Sequence, residues 1–96
     1  MISAPILLIA FNRPDTTKIA FNTIRDVKPK KLYVAIDGPR SNKQGEEELC
    51  EQVIEITQQV DWECDTNYLI REKNLGCKHG VSGAITWALK NEDRVI

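Results

Sequence analysis

The chain opens with a short apolar run followed by an amphipathic stretch. Pro5 to Phe11 is apolar without alternation, which is typical of a parallel strand covered on both faces. Pro14 then suits the first position of a helix, and Asp15 suits the positive end of the helix dipole. The pattern therefore predicts a first strand and then a helix that ends near Val27. The inner stripe predicted for this helix consists of Thr17, Ala20, Phe21, Ile24 and Val27.

A second strand, a second helix and a third strand are predicted in the same way. Leu32 to Ile36 is rich in residues that favour a buried pleated surface, and it ends on the turn sequence Asp37-Gly38-Pro39. A polar loop from Arg40 to Gly45 precedes a stretch with helical spacing of its apolar residues. The partial alternation of Cys64 to Ile70 predicts a third strand nearer the edge of the sheet. The stripe predicted for the second helix consists of Leu49, Val53, Ile56 and Val60.

The last part of the chain predicts a loop, a third helix and the start of a further strand. The loop covers Glu72 to Gly76, and Asn91 to Asp93 ends the helix. Arg94 to Ile96 begins another apolar segment, so we expect the sequence to stop inside a strand of a longer protein. The stripe predicted for the third helix consists of Val81, Ala84, Ile85, Ala88 and Leu89.

Strands that alternate with helices predict an α/β fold. Because parallel strands are joined by right-handed crossovers, we expect a three-layer α/β/α sandwich with a mainly parallel sheet. Residues 1–96 form one unit in this interpretation, the N-terminal part of a larger domain. Ligands of such sheets bind beyond the carboxyl ends of the strands. The residues that follow the first and second strands are therefore the first candidates for a functional site.

Composition argues against several classes of protein. Thirteen Lys and Arg against 14 Asp and Glu leave a net charge of -1, so no overall field attracts nucleic acid. Cys50, Cys64 and Cys77 form no close pair, so neither a disulfide framework nor a zinc site is predicted. Pro5 to Phe11 is too short to span a bilayer and lacks the basic lead-in of a signal peptide. We expect a cytoplasmic protein with no transmembrane segment and no nucleic-acid partner.

Two charged residues follow the predicted strands closely. Arg13 could pair with a diphosphate through two charge-assisted hydrogen bonds, or it could be a solvated turn residue. Asp37 could accept a hydrogen bond from a base N–H or a ribose hydroxyl, or its carboxylate could stabilise the turn with Gly38. The sequence contains no glycine-rich phosphate loop, which weakens a dinucleotide-binding or P-loop interpretation. Spacing alone leaves both pairs of alternatives open.

Several other residues have a functional and a structural interpretation. His79 opens the third helix and could hydrogen-bond a phosphate or a sugar hydroxyl, although a lone histidine there is more often a simple exposed residue. Trp62 and Trp87 are predicted to pack against the fold rather than to stack on a ligand. The acidic run from Glu46 to Glu48 favours a helix N-terminus rather than a metal site.

Three segments resemble the GT-A glycosyltransferases, which belong to the nucleotide-diphospho-sugar transferases. These segments are Pro5 to Asp15, Val34 to Gly38 and Asn74 to Gly80. The resemblance covers nearly the whole chain. It is closest to the alpha-1,3-mannosyl-glycoprotein 2-beta-N-acetylglucosaminyltransferases and to bacterial sugar transferases of similar build. It implies an α/β fold that binds a nucleotide sugar.

The resemblance also implies roles for individual residues. Arg13 would contact the diphosphate of the donor, and Asp37 would contact its uracil. His79 would contact the donor from the start of the third helix. Phe11 and Asn12, which directly precede Arg13, belong to the same substrate-binding group.

The implied reaction transfers a sugar from a nucleotide diphosphate sugar, most simply a UDP-sugar, to a hydroxyl of a glycan or polysaccharide precursor. In this family an acidic motif holds Mn²⁺ or Mg²⁺, and here that motif and the catalytic base would follow Ile96. The chain by itself is then expected to hold no metal, to be inactive and to self-associate through apolar surface beside Arg94 to Ile96. The alternative is a non-catalytic nucleotide-binding or regulatory module, because a fold does not fix a function.

Overall fold

The computed structural model describes residues 5–90 and Glu92. Three parallel strands form one sheet in the order β1-β2-β3, and a helix follows each strand. The prediction of an α/β fold with parallel strands is confirmed. The elements are β1 (Ile6–Ala10), α1 (Pro14–Val27), β2 (Lys31–Ile36), α2 (Glu46–Thr57), β3 (Asp65–Ile70) and α3 (Gly76–Leu89).

The register of the strands brings their carboxyl ends to one edge of the sheet. Ala10 of β1 pairs with Ile36 of β2, and Ile36 pairs with Ile70 of β3. The backbone N–H of Asp37 donates to the carbonyl of Ala10 at 3.1 Å. The backbone N–H of Arg71 donates to the carbonyl of Ile36 at 3.0 Å. The loops that follow the three strands therefore begin side by side.

The central strand β2 supplies much of the core. Leu32, Val34 and Ile36 are buried together with residues of α1 and α2. Because side chains alternate along a strand, Tyr33 lies on the opposite face. There the ring of Tyr33 meets Trp87 of α3 edge to face, with 5.3 Å between the ring centroids. The other buried members of the main core cluster are Ile6, Phe21, Ile24 and Val53.

Helix α1 follows its prediction closely. Pro14 occupies its first turn, and Phe21 on its inner face is buried. The chain leaves the helix at Lys28, which takes a left-handed conformation with φ 52°. Trp62 packs against Phe21 with 5.9 Å between ring centroids, and its Nε1 donates to the carbonyl of Pro29 at 2.8 Å. The predicted packing role of Trp62 is confirmed.

The predicted inner face of helix α2 is confirmed in part. Val53 is buried, and Ile56 and Val60 are partly buried against the core, although Val60 lies beyond the end of the helix. Leu49 is 38% exposed. In the first turn, Glu46 is only 4% exposed, and its carboxylate pairs with Arg40, whose side chain is 44% exposed. The buried positions of α2 are Glu46, Cys50, Val53 and Thr57.

The buried positions of helix α3 hold small residues. Ala84 and Ala88 are buried as predicted, whereas Ile85 and Leu89 are 40% and 45% exposed. Small side chains let a helix backbone approach its neighbours closely. Ile85 and Leu89 lie outside this close contact and stay partly exposed. The strand predicted from Arg94 to Ile96 lies outside the described residues. Among the described helices, none has the length and apolar character needed to cross a membrane.

Candidate functional site

An open cleft lies at the carboxyl edge of the sheet. Its volume is about 440 Å³, and small-molecule sites usually span roughly 300–1,000 Å³. The ends of β1 and β2 line one part of it, and the first residues of α3 line another. This is the place where parallel sheets bind their ligands. The polar and aromatic side chains that line the cleft are Phe11, Asp37, Arg40, Arg71 and Asn74.

Asp37 joins the end of β2 to the loop before α3. Its Oδ1 accepts hydrogen bonds from the backbone N–H of Gly38 at 2.9 Å and of Leu75 at 3.0 Å. Its Oδ2 accepts a hydrogen bond from Nδ2 of Asn74 at 3.1 Å. The structure therefore contains the turn-stabilising bond that the sequence suggested. Asp37 also lines the cleft, so a ligand contact is compatible with the same geometry.

Gly38 allows the two loops to touch. A Cβ atom placed on Gly38 would lie 2.6 Å from the backbone carbonyl carbon of Glu72 and 2.6 Å from the backbone nitrogen of Lys73. Nδ2 of Asn74 also donates to the carbonyl of Gly38, at 3.0 Å. Any larger residue at position 38 would push the loop after β3 away from Asp37.

Glu46 binds Arg40, which lines the cleft. Its carboxylate accepts hydrogen bonds from Nη2 of Arg40 at 2.7 Å and from Nε of Arg40 at 3.0 Å. It also accepts bonds from the backbone N–H of Arg40 at 2.7 Å and from Nδ2 of Asn12 at 3.2 Å. The Arg40 guanidinium lies over the ring of Phe11, 5.7 Å from its centroid. Glu46 thus ties the end of β1 to the loop after β2.

These bonds stabilise the charged form of Glu46. The side-chain hydrogen bond from Arg40 lowers the pKa of Glu46 to about 2, with further lowering by the Arg40 backbone and Asn12, while burial opposes the shift. At neutral pH Glu46 is therefore an anion. Its charge balances that of Arg40, whose guanidinium binds Glu46 through Nε and Nη2.

Arg71 is the second arginine of the cleft, and its surroundings differ from those of Arg40. Its guanidinium lies against Gly83 of α3, where an added Cβ would come within 2.9 Å of Nη2. Among the side chains that the structure describes, none forms a hydrogen bond or ion pair with this guanidinium. Arg71 can therefore offer its positive charge and its donors to a ligand anion.

Two of the residues predicted from the sequence line the cleft directly. Phe11 follows β1, and Asp37 follows β2. Asn12 does not line the cleft. Its side chain donates a hydrogen bond to Glu46, which in turn binds Arg40 of the cleft.

The other two predicted residues lie elsewhere on the surface. The side chain of Arg13 is 70% exposed, and its Nε lies 3.6 Å from Oδ1 of Asp15. His79 is exposed in the first turn of α3, although the next residue, Gly80, lines the cleft. The structure therefore does not bring Arg13 and His79 into the cleft with Asp37.

Sequence reasoning missed three side chains that build the cleft. Arg71 directly follows β3, so the rule that selected residues after the first two strands would also have selected it. Asn74 lay within a segment that resembles the glycosyltransferases, but no role followed for it. Arg40 had no local signal, because its function depends on the buried carboxylate of Glu46.

Comparisons of the chain with protein-family models, with curated proteins and with solved structures find no match. The function must therefore be argued from the cleft. Within the described part of the chain, no group of three or more His, Cys, Asp or Glu side chains comes together.

Proposed function

We propose that the cleft binds the nucleoside diphosphate of a nucleotide sugar, most simply a UDP-sugar. The observation that carries the proposal is that Asp37 and Arg71 line one cleft at the carboxyl edge of a parallel sheet, and that the Arg71 guanidinium has no hydrogen bond or ion pair among the described side chains. A nucleoside diphosphate needs both an anion-binding group and a polar group for its base. Arg71 and Asp37 supply these two groups.

Arg71 is the proposed diphosphate contact. A guanidinium presents its donors in a planar fork that matches two phosphate oxygens, and such charge-assisted bonds are stronger than neutral ones. The cleft also includes Gly76 and Gly80 from the first turns of α3. The positive end of the α3 dipole adds to the attraction for phosphate.

Asp37 and Phe11 are the proposed contacts of the nucleoside. A carboxylate accepts hydrogen bonds from a base N–H or a ribose hydroxyl. Phe11 adds aromatic surface for a planar base.

In this proposal the chain is the donor-binding part of a GT-A glycosyltransferase with a three-layer α/β/α architecture. The sugar passes from the nucleotide to a hydroxyl of an acceptor glycan or polysaccharide precursor, and the nucleoside diphosphate is the leaving group. None of the described residues is proposed as the catalytic base or as a ligand of Mn²⁺ or Mg²⁺. The 96-residue chain binds the nucleotide but does not transfer sugar.

A series of uridine, UMP and UDP tests the proposal on the 96-residue chain. We expect affinity to rise from uridine to UMP to UDP, because each phosphate brings more negative charge to Arg71. Titration followed by nuclear magnetic resonance detects the weak binding expected here. Equal affinity across the series, or no binding of UDP, would contradict the proposal. Equal affinity for ATP and UDP would favour a general nucleotide-binding module over a sugar-donor site.

A further inference from the structure

Strand β3 has an open outer edge. It is the last strand in the order β1-β2-β3, and no other described strand lies beside it on that side. The backbone N–H groups of Asp65 and Arg71 donate towards β2, at 2.8 Å and 3.0 Å. Because successive residues of a strand point their backbone groups in alternate directions, Thr66, Tyr68 and Ile70 point theirs away from β2. These outward groups form a row that can pair with a further strand.

The middle of this edge lacks the features that usually prevent such pairing. Proteins protect open edges with charged residues, proline or bulges. The stretch from Thr66 to Ile70 contains no charged residue, proline or glycine. The two ends carry opposite charges, with Asp65 at the start of the strand and Arg71 directly after it. An antiparallel copy of the same strand would therefore meet it with complementary charges.

One antiparallel register satisfies both the charges and the backbone groups. In a pair centred on Tyr68, Asp65 of each copy lies opposite Arg71 of the other copy. Thr66 then lies opposite Ile70, so that residues with outward backbone groups meet and can exchange hydrogen bonds. Opposite charges that face each other across a strand pair stabilise it, whereas like charges destabilise it.

Two alternative arrangements fit less well. A pair centred on Asn67 also matches the backbone groups, but it places Asp65 opposite the apolar Leu69. In that pair Arg71 would face Glu63, which lies outside the strand. A parallel pair would bring Asp65 of the two copies close together, where their like charges repel. The register centred on Tyr68 is therefore favoured.

We propose that the outer edge of β3 is the interface for a second copy of this chain. The two β3 strands pair antiparallel about Tyr68 and join two three-stranded sheets into one. The pairs between Asp65 and Arg71 set the register. This inference does not depend on the proposed function. It is tested without nucleotide, because Arg71 is also the proposed diphosphate contact.

Sedimentation equilibrium of the 96-residue chain measures the association. A single strand pair is a small interface, so we expect a weak dimer with a dissociation constant on the order of 0.1–1 mM. Asp65→Lys and Arg71→Asp each turn the facing opposite charges into like charges. Each is expected to weaken the dimer by about tenfold.

The double variant Asp65→Lys, Arg71→Asp exchanges the two charges and is expected to restore the dimer. Within one chain these residues lie at opposite ends of β3, so a rescue requires contact between two chains. Asp26→Lys is the matched control, because Asp26 is exposed on α1 and the substitution changes the net charge as Asp65→Lys does. It is expected to keep the affinity of the unmodified chain.

Hydrogen exchange gives a second measurement that needs no variant. The amides of Thr66, Tyr68 and Ile70 are expected to exchange more slowly as the concentration of the unmodified chain rises. A chain that stays monomeric at about 1 mM, or one that associates without protecting these amides, would overturn the proposal. A double variant that associates as weakly as the single variants would also overturn it, because Asp65 and Arg71 would then not face each other.

Discussion

Nη2 of Arg40 lies 2.7 Å from Oε2 of Glu46, and the Glu46 side chain is only 5% exposed. This ion pair closes the loop between β2 and α2, and Asn12 at the end of β1 donates to the same carboxylate. Arg40 has its counter-charge there, whereas the Arg71 guanidinium has no ion-pair partner among the described side chains. One arginine therefore builds the site, and in our proposal the other binds the ligand.

The Glu46 pair predicts a pH-dependent contribution to stability. The pKa of Glu46 in the folded chain is about 2, below the ordinary value of 4.5, so its charge stabilises the fold above about pH 4.5. That contribution is lost as the pH falls from 4.5 towards 2. We expect Glu46→Gln to lower the melting temperature by several degrees at neutral pH. The difference in melting temperature from the unmodified chain is expected to shrink as the pH falls.

Glu47→Gln is the matched control for this measurement, because Glu47 is the next residue of α2 and is exposed. The melting temperatures of the unmodified chain, Glu46→Gln and Glu47→Gln are compared from neutral pH down towards pH 2. Equal changes of melting temperature with pH in the two variants would mean that net charge, rather than the bond to Arg40, sets the pH dependence.

The ligand contact of Arg71 predicts a selective loss of diphosphate binding. Arg71→Ala is expected to weaken the binding free energy of UDP by about 1.5–3 kcal/mol, the cost of losing a hydrogen bond to a charged group. Uridine binding is expected to change little. Arg13→Ala is expected to have a smaller effect, because the Arg13 side chain is 70% exposed and lies outside the cleft. Calorimetric or magnetic-resonance titration measures both. If Arg13→Ala lost more UDP affinity than Arg71→Ala, the diphosphate would lie at Arg13, as the sequence resemblance implied, and not at Arg71.

The burial of β2 predicts that two apolar substitutions differ strongly in their effect on the free energy of unfolding. Leu32 is fully buried, so Leu32→Ala is expected to reduce the free energy of unfolding by about 2–5 kcal/mol. Ile19 is 70% exposed on α1. We expect Ile19→Ala to stay within about 0.5 kcal/mol of the unmodified chain. Urea denaturation measures both values, and similar losses would show that the described core is incorrect.

Tyr33 and Glu92 predict a spectroscopic shift at the other end of the sheet. The Tyr33 hydroxyl donates to Oε2 of Glu92 at 2.7 Å, and Nζ of Lys31 donates to the same oxygen at 2.7 Å. The bond to the Glu92 carboxylate, with burial, raises the pKa of Tyr33. Glu92→Gln is therefore expected to lower the pKa of Tyr33 in a titration of tyrosinate absorbance. Tyr68, whose pKa is raised by burial, provides an internal reference that should not move.

Much of the fold could be predicted because its signals are local. The apolar run from Pro5 to Phe11 and the Pro14 helix start predicted β1 and α1 closely. The burial of Glu46 at the start of α2 could not be predicted in this way, since its carboxylate is bonded to Arg40 and Asn12, which are distant from the helix core pattern. Apolar spacing treats Glu46 as a surface residue, and a tertiary ion pair overrides that pattern.

The cleft was predictable in position but not in detail. The carboxyl-edge rule placed Asp37 correctly, because parallel strands end together. The bond between Asp37 and Asn74 joins residues 37 positions apart in the chain, and no local pattern signals it. The closeness of the Arg71 guanidinium to Gly83 of α3 is likewise a tertiary contact that no local pattern signals.

The most direct test of the proposed site is a map of backbone amide shifts in the isotope-labelled 96-residue chain during titration with UDP. We expect the largest shifts at Phe11, Asp37, Arg71 and Gly80, which meet at the carboxyl edge of the sheet. Amides at the opposite edge, such as that of Trp62, are expected to stay unchanged. No shifts at saturating UDP, or shifts confined to the opposite edge, would contradict a nucleotide site in this cleft.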